Sequence, residues 1–397
     1  MTRLIIANGR VVDPAASLDT LCDVRIQDGR IAEIGLALER NGGERVVEAR
    51  GCIVAPGFID MHVHLRDPGF PEKETMATGT DAAVRGGFTA VACMPNTRPA
   101  LDDPNVLRDL EASAARNGRC RVYPIAAITR GRSGTELCDY AALARAGAVA
   151  FSDDGDTVRD ARVMRQAAER ARDLRAPMIA HSEPEDSIVA RDLEIAAETR
   201  KAWHVAHVST RGALDLIRAA RIAGVYVTCE ATPHHLTFTQ DTTAEFGPAA
   251  RVNPPLRTGD DVAALREAVY DGTIDAFASD HAPHTESEKR DGLAPGFTGL
   301  EVAVGAYAAA LPNLPLPRFV ELLATNPARI LGLPGGTLAP GSPADITIFA
   351  DREWTVDAAN FASKGKCTPF NGRHLPRRVV ATIVGGELRY DALEFAT

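Results

Sequence analysis

The sequence predicts an α/β fold: a (β/α)8 barrel of the TIM type, with a small composite β-sandwich built from the two ends of the chain. Three observations point there. Across the middle of the chain, eight apolar segments of buried-strand length alternate with amphipathic stretches. Both ends lack helical periodicity and carry hairpin signals. The 397 residues exceed what one ordinary core holds unless one unit is a barrel of ~250 residues. The expected division is 1–54 (first part of the β-sandwich), 55–336 (barrel) and 337–397 (second part).

The elements follow in order. Leu4–Ile6 and Val11–Val12 flank Asn8-Gly9, and Val24–Gln27 and Ile31–Ile34 flank Asp28-Gly29; both pairs read as hairpins. Eight candidate strands come next: Cys52–His64, Thr89–Asn96, Arg121–Thr129, Ala148–Asp154, Pro177–Glu183, Ala202–Ser209, Val225–His235 and Asp275–His284. Helices are expected at Asn105–Asn117, where Val106, Leu107, Leu110 and Ala114 share a face and Gly118 ends the run, and at Ser187–Thr199. Two more are expected at Thr210–Ala223, stopped by Gly224, and Asp261–Asp271, stopped by Gly272. After residue 336 the β pattern returns with Ile346–Phe349 and with Val379–Val384 before Gly385-Gly386. No G-x-G-x-x-G follows a first strand, which argues against an open dinucleotide-binding sheet.

Composition narrows the function. Net charge is −9, with no basic block and no aromatic-basic interleaving, so nucleic acid is a poor partner. The longest uncharged run, Val302–Pro317, is broken by Pro312, Pro315 and Pro317, so no membrane span is expected. The opening Met1–Asn8 is too short and too soon polar for a signal peptide. Seven dispersed cysteines without a C-x-x-C read as reduced thiols of a cytoplasmic protein.

The chemistry gathers where barrel active sites sit, at the C-terminal ends of the strands. Strand one ends in His62 and His64, whose i, i+2 spacing puts both imidazoles on one face. Strand four ends in Asp153-Asp154-Gly155, strand five in His181, strand six in His207, and strand eight in Asp280. Alone, each is better read as a core or turn residue. Together, four histidines and two carboxylates would leave buried charge uncompensated, at a cost of several kcal/mol, unless a metal pair takes it up. The donors suit two divalent ions sharing a carboxylate, with Asp280 placed to carry a proton from water to a leaving nitrogen.

These motifs resemble the cyclic amidohydrolases, and most closely the class I dihydroorotases. The resemblance rests on Asp60-Met61-His62-Val63-His64-Leu65-Arg66-Asp67-Pro68-Gly69, Met94-Pro95-Asn96-Thr97, Ser152-Asp153-Asp154-Gly155, His181-Ser182-Glu183 and His207-Val208-Ser209-Thr210. Thr232-Pro233-His234-His235, Asn253-Pro254-Pro255-Leu256-Arg257 and Ser279-Asp280-His281-Ala282-Pro283-His284 extend it to nearly the whole chain. It implies reversible hydrolysis of (S)-dihydroorotate to N-carbamoyl-L-aspartate, a step of pyrimidine synthesis, with two Zn2+ per subunit. By position, His62, His64 and Asp280 would hold one zinc and His181 and His207 the other. Asp154 would bridge, with Asp153 its competitor. Arg66 would take the substrate carboxylate, joined by Asn96 and His284, with Asn253 on the ring; a guanidinium suits a carboxylate because it donates two parallel hydrogen bonds. The plainer reading of Arg66 is a surface ion pair with Asp67 or Glu72. His234 and His235 remain unassigned. The loop 292–299 is expected to lie over the strand ends.

One segment departs from that pattern. The family carries a Gly-rich loop after the counterpart of His181-Ser182-Glu183, whereas here Pro184-Glu185-Asp186 runs straight into a helix. Two rival functions stand beside the first: a cyclic amidohydrolase for hydantoin, allantoin or another ureide, and a non-catalytic subunit of aspartate carbamoyltransferase. The expected partners are a small-molecule substrate and further copies of the chain, with or without aspartate carbamoyltransferase.

Overall fold

A computed structural model describes residues 3–40, 42–292 and 294–395. Met1 and Thr2 of the opening segment, and Leu293 of the loop expected over the strand ends, lie outside the described residues.

The chain begins with β1 (Arg3–Asp13), β2 (Leu18–Gln27), β3 (Arg30–Gly35), β4 (Arg45–Glu48) and β5 (Ile53–Pro56). Asp28-Gly29 makes the expected tight turn between β2 and β3, with φ 50° and 76°. Asn8-Gly9 does not turn the chain. It lies inside β1, which passes through a bulge there with Asn8 at φ 63°. The reason is lateral: a Cβ on Gly9 would come within 2.5 Å of the Val54 side chain, so the glycine admits β5 at close range.

The barrel follows as β6 (Phe58–Val63), β7 (Phe88–Cys93), β8 (Arg121–Ala126), β9 (Ala150–Phe151), β10 (Met178–Ala180), β11 (Trp203–Val205), β12 (Val227–Ala231) and β13 (Ala276–Phe277). Each pairs in parallel with the next. A parallel bridge between Val63 and His281, with the His64 N–H donating to the His281 carbonyl at 2.8 Å, brings the first strand back to the last. Met61, Ala92, Ile125, Ala150, Ile179, Ala206 and Ala276 pack into one buried cluster. Side chains from that many strands meet only inside the ring, so the interior is filled and the chemistry is confined to its rim. The expected helices form at Pro104–Asn117, Glu185–Thr199, Arg211–Ile222 and Gly259–Tyr270, on the outside of the ring.

The expected first barrel strand, Cys52–His64, is two strands. β5 belongs to the outer sheet and β6 to the barrel. They part at Gly57, where a Cβ would come within 2.1 Å of the Thr89 hydroxyl. An unbroken apolar run hides this change of sheet.

The chain returns as β14 (Ile346–Ala350), a small pair β15 (Trp354–Thr355) and β16 (His374–Leu375), β17 (Arg378–Val384) and β18 (Glu387–Asp391). Both ends of the chain thus form one mixed sheet, β18-β17-β14-β5-β1-β2-β3, with β4 beside β1. It surrounds its own core of Leu4, Val24, Ile26, Val54, Ile346, Ile348 and Ile383. Among the described residues, no helix is long and apolar enough to cross a membrane.

Candidate metal centre

Strand ends deliver the donors. His62 is in β6, and His64, Asp154, His181, His207 and Asp280 follow β6, β9, β10, β11 and β13; all six are buried. Arg66, His207 and Asp280 hold φ of 59°, 31° and 48°, a costly backbone region for residues with a Cβ, which clusters at functional sites.

Asp154 is the centre. Its Oδ1 is 3.4 Å from His62 Nε2, His181 Nδ1 and His207 Nε2, and its Oδ2 is 3.4 Å from His64 Nε2. Asp280 Oδ1 lies 3.2 Å from His64 Nε2 and 3.7 Å from His62 Nε2. His181 Nδ1 and His207 Nε2 are 3.0 Å apart. Asp153 faces away: its carboxylate accepts the Ile128 and Thr129 N–H groups at 2.8 and 3.0 Å, and the Thr129 hydroxyl.

The tautomers follow from outer partners. His62 Nδ1 is 2.7 Å from Glu230 Oε1, and His64 Nδ1 is 2.8 Å from Asn96 Oδ1. Both partners accept, so both protons sit on Nδ1, and both Nε2 lone pairs face carboxylate oxygens. Lone pair against lone pair is repulsive unless a cation stands between. His62 Nε2 is a buried nitrogen without a hydrogen-bond partner. It belongs to two overlapping triads, His62–His64–Asp280 and His62–Asp154–His207, whose donor atoms lie within 4.8 Å of one another. Nitrogen and oxygen donors in this arrangement fit divalent cations. His181 stands beside them: Asn253 Nδ2 lies 3.0 Å from its Nε2, and its Nδ1 faces Asp154 Oδ1 at 3.4 Å.

The electrostatics agree. Burial alone would raise the Asp154 pKa, but the His62, His181 and His207 imidazoles hold it well below the usual carboxylate range. Burial disfavours charge on His62, and Asp154 and Glu230 outweigh it, so its pKa rises well above that of free imidazole: with no cation between them, the carboxylates draw a second proton onto the ring at the Nε2 position a metal would take. Asp280, buried beside His64 and His62, is likewise kept ionised.

Arg66, Asn96, Asn253 and His284 line one cavity of about 240 Å³ with His64, Asp154, His181 and Asp280. Arg66 makes no surface pair with Asp67 or Glu72. It is buried, donating from Nε to the Pro283 carbonyl at 3.2 Å, with Nη2 3.1 Å from His284 Nε2. Burial lowers its pKa to about 10, so the guanidinium stays charged. Burial and the nearby Arg66 and Lys73 push His284 down to about 4, leaving a neutral ring whose Nε2 faces both Arg66 Nη2 and the Pro295 carbonyl, at 3.1 and 2.9 Å.

Several residues here were not anticipated from the sequence. Glu230 is fully buried near the end of β12 and touches His62, His204 and the His207 backbone. Asp60 accepts the His62 and Ser279 N–H groups, tying the first strand end to the last. A carboxyl inside an otherwise apolar strand is the signal that marks both. Arg132, paired with Asp156, joins the cavity wall. His235 bonds Thr232 and Pro254, while His234 packs on Phe297 with neither ring nitrogen partnered.

The short segment after His181 is held by Glu185. Its carboxylate accepts the Ser209 and Thr210 N–H groups at 2.8 and 3.1 Å, docking the helix directly onto the next strand end. Beside it lies an open trough of about 550 Å³, lined by Arg132, Thr157, Arg159, His181, Glu183 and Asn253.

With this geometry in place, similarity to known proteins is informative. The amidohydrolase family model matches residues 53–389. The dihydroorotase of Pelotomaculum thermopropionicum is 48% identical, covering 97% of this chain and 98% of its own length. That of Anaeromyxobacter dehalogenans is 45% identical, covering 98% of each. These alignments run over 421 and 423 residues against 397 here, so the relatives carry residues that this chain lacks. Among solved structures, the L-hydantoinase (dihydropyrimidinase) of Arthrobacter aurescens superposes with a TM-score of 0.90 at 23% identity, covering 99% of this chain and 97% of its own. A D-hydantoinase of Thermus sp. gives 0.86 at 24%, covering 98% and 95%. At that identity the likeness establishes the shared fold.

Proposed function

The chain belongs to the amidohydrolase family, and from that premise we propose that it is a dihydroorotase, interconverting (S)-dihydroorotate and N-carbamoyl-L-aspartate. The observation that carries this reading is a guanidinium, Arg66, sharing one cavity with the Asp154 and Asp280 carboxylates beside four imidazoles. A ring that bears a carboxylate next to a hydrolysable amide matches that pairing, whereas an uncharged hydantoin leaves Arg66 unanswered.

His62, His64 and Asp280 would hold one zinc, His181 and His207 the other, and Asp154 would lie between them. Bound divalent ions supply an activated water and polarise the ring carbonyl. The chain's own residues do the rest. Arg66 receives the substrate carboxylate with two parallel hydrogen bonds, and His284 stands beside the guanidinium, its Nε2 3.1 Å from Arg66 Nη2. Asn96 orients His64 through Nδ1 and turns its amide nitrogen toward Gly155 at the cavity edge. Asn253 contacts the ring from the His181 side. Asp280 uses Oδ1 on the histidines, which leaves Oδ2 to take a proton from the attacking water and pass it to the leaving ring nitrogen.

The expected assembly is a cytoplasmic homo-oligomer, alone or with aspartate carbamoyltransferase. All six donor residues are present, which favours an enzyme over a non-catalytic subunit. The deciding experiment is metal analysis beside a substrate panel. We expect two equivalents of zinc per chain and turnover of dihydroorotate in both directions. Equal or faster turnover of an uncharged hydantoin would overturn the reading.

A further inference from the structure

We propose that Glu230 is a positioning residue that builds both halves of the metal centre at once, without touching either ion. This rests on the metal-centre part of the functional reading.

Glu230 is fully buried near the end of β12. One oxygen, Oε1, does two jobs. It lies 2.7 Å from His62 Nδ1, and it accepts the backbone N–H of His207 at 3.2 Å. The first contact fixes the His62 proton on Nδ1 and so frees Nε2 for the triad with His64 and Asp280. An anionic acceptor behind an imidazole also makes the opposite nitrogen a better donor to a cation. The second contact pins the backbone of His207, the donor of the other half, which sits at a strained φ of 31°. A backbone held in such a conformation needs its surroundings to specify it, and here one carboxylate oxygen does so.

The other oxygen, Oε2, lies 3.3 Å from His204 Nε2, and His204 Nδ1 lies 2.8 Å from the Thr228 hydroxyl. That branch ends on Thr228, which lines a separate cavity with Trp203 and Tyr226. It holds the carboxylate so that Oε1 points between the two histidines.

The substitution that isolates the role is Glu230→Gln. Its amide oxygen still accepts from His62 and His207. Its amide nitrogen donates to His204 Nε2, once that ring shifts its proton to Nδ1 and donates to Thr228. Shape and hydrogen-bond count survive, and only the charge goes. Glu230→Ala removes the anchor as well and can fail to fold.

The test is titration of the metal-stripped protein with zinc against a chelating indicator, with circular dichroism to confirm the fold. We expect E230Q to keep its secondary structure and to bind the zinc equivalent held by His62 about 10- to 100-fold more weakly, the range found when the outer partner of a metal-binding histidine is lost, and folded Glu230→Ala, which also frees the His207 backbone, to weaken both equivalents. Saturating zinc should restore most of the turnover, because no reacting group has been removed. Wild-type affinity at both sites in folded E230Q overturns the proposal, and so does a folded Glu230→Ala variant that weakens one site alone. A wild-type protein that takes up no zinc overturns it too. Normal zinc uptake without dihydroorotate turnover overturns only the functional reading.

Discussion

Asp280 shows what a single carboxylate does when two imidazoles share one of its oxygens. With Oδ1 beside His64 and His62, the proton-carrying role proposed for Asp280 falls to the second oxygen. Asp280→Asn keeps the shape and removes the basic oxygen. It should lower kcat by about 10²–10⁴, the usual contribution of a positioned acid–base group, with a much smaller change in KM. Steady-state kinetics at saturating zinc checks this, and near wild-type kcat would remove Asp280 from the proton path. Arg66 belongs to the opposite class, since its proposed partner is the part of the substrate that does not react. Arg66→Gln should raise KM for dihydroorotate tenfold or more, by about 1.4 kcal/mol or beyond, while zinc content stays at the wild-type level. At this scale much of the site was legible, because histidines after apolar runs are conspicuous. Glu230 and Asp60 were not, since a carboxyl within a strand gives no hint of what it meets across the barrel. The choice between Asp153 and Asp154 also waited for three dimensions: adjacent residues point to different neighbours, and only the backbone N–H groups of Ile128 and Thr129 show that Asp153 is occupied elsewhere.

At the scale of elements, the helix Glu185–Thr199 shows how a shortened connection is compensated. Glu185 ties its first turn to Ser209 and Thr210, and Arg257 reaches both Glu183 and Ser209. The same helix buries Asp192 on its inner face, where Oδ1 accepts from Arg191 and Oδ2 has no partner. Burial pushes that carboxyl up to about 7, with Arg191 opposing it only in part. The folded pKa therefore lies above the unfolded one. The stability this group contributes is complete below the unfolded pKa and is lost as pH rises toward 7, by up to about 1.4 kcal/mol per pH unit in that window. Asp192→Asn should flatten this slope, leaving the variant more stable than wild type at pH 8 and closer to it at pH 4.5. Urea unfolding at the two pH values measures the difference. Elements were mostly readable from periodicity and stop signals, as the helix ending before Gly118 shows. The failures were places where a local signal answers to a distant strand. Asn8-Gly9 has turn chemistry, yet its glycine serves the approach of Val54, and Cys52–His64 is one apolar run because both of its strands are buried.

The whole molecule is a barrel seated on a sheet made from both chain ends, and the seam between them lies close to the metal centre in sequence. Gly57 is the crossing, its N–H donating to the Asp345 carbonyl at 2.8 Å. One residue later, the Phe58 N–H that opens β6 donates to the hydroxyl of Thr347 in β14 at 3.0 Å, and that hydroxyl donates to the Gly87 carbonyl at 2.6 Å. Phe58 also packs on Phe349 across the seam, with ring centroids 5.8 Å apart. Asp345 adds a two-pronged bond from Arg121 at 2.8 and 3.2 Å. We propose that the segments 1–54, 55–336 and 337–397 therefore unfold as one unit, since the sheet cannot leave without stripping partners from the barrel's first strand. Thr347→Val tests this. It preserves shape but leaves a buried N–H and a buried carbonyl unanswered, each costing about 1–3 kcal/mol. If sheet and barrel are one unit, a single calorimetric transition should move to lower temperature and zinc release should track it. If they are separate, the variant should split the transition, with the sheet melting first and zinc retained until the second step. Because β6 carries His62 and leads directly to His64 and Arg66, the coupled outcome would make the outer sheet part of what holds the metal centre in place.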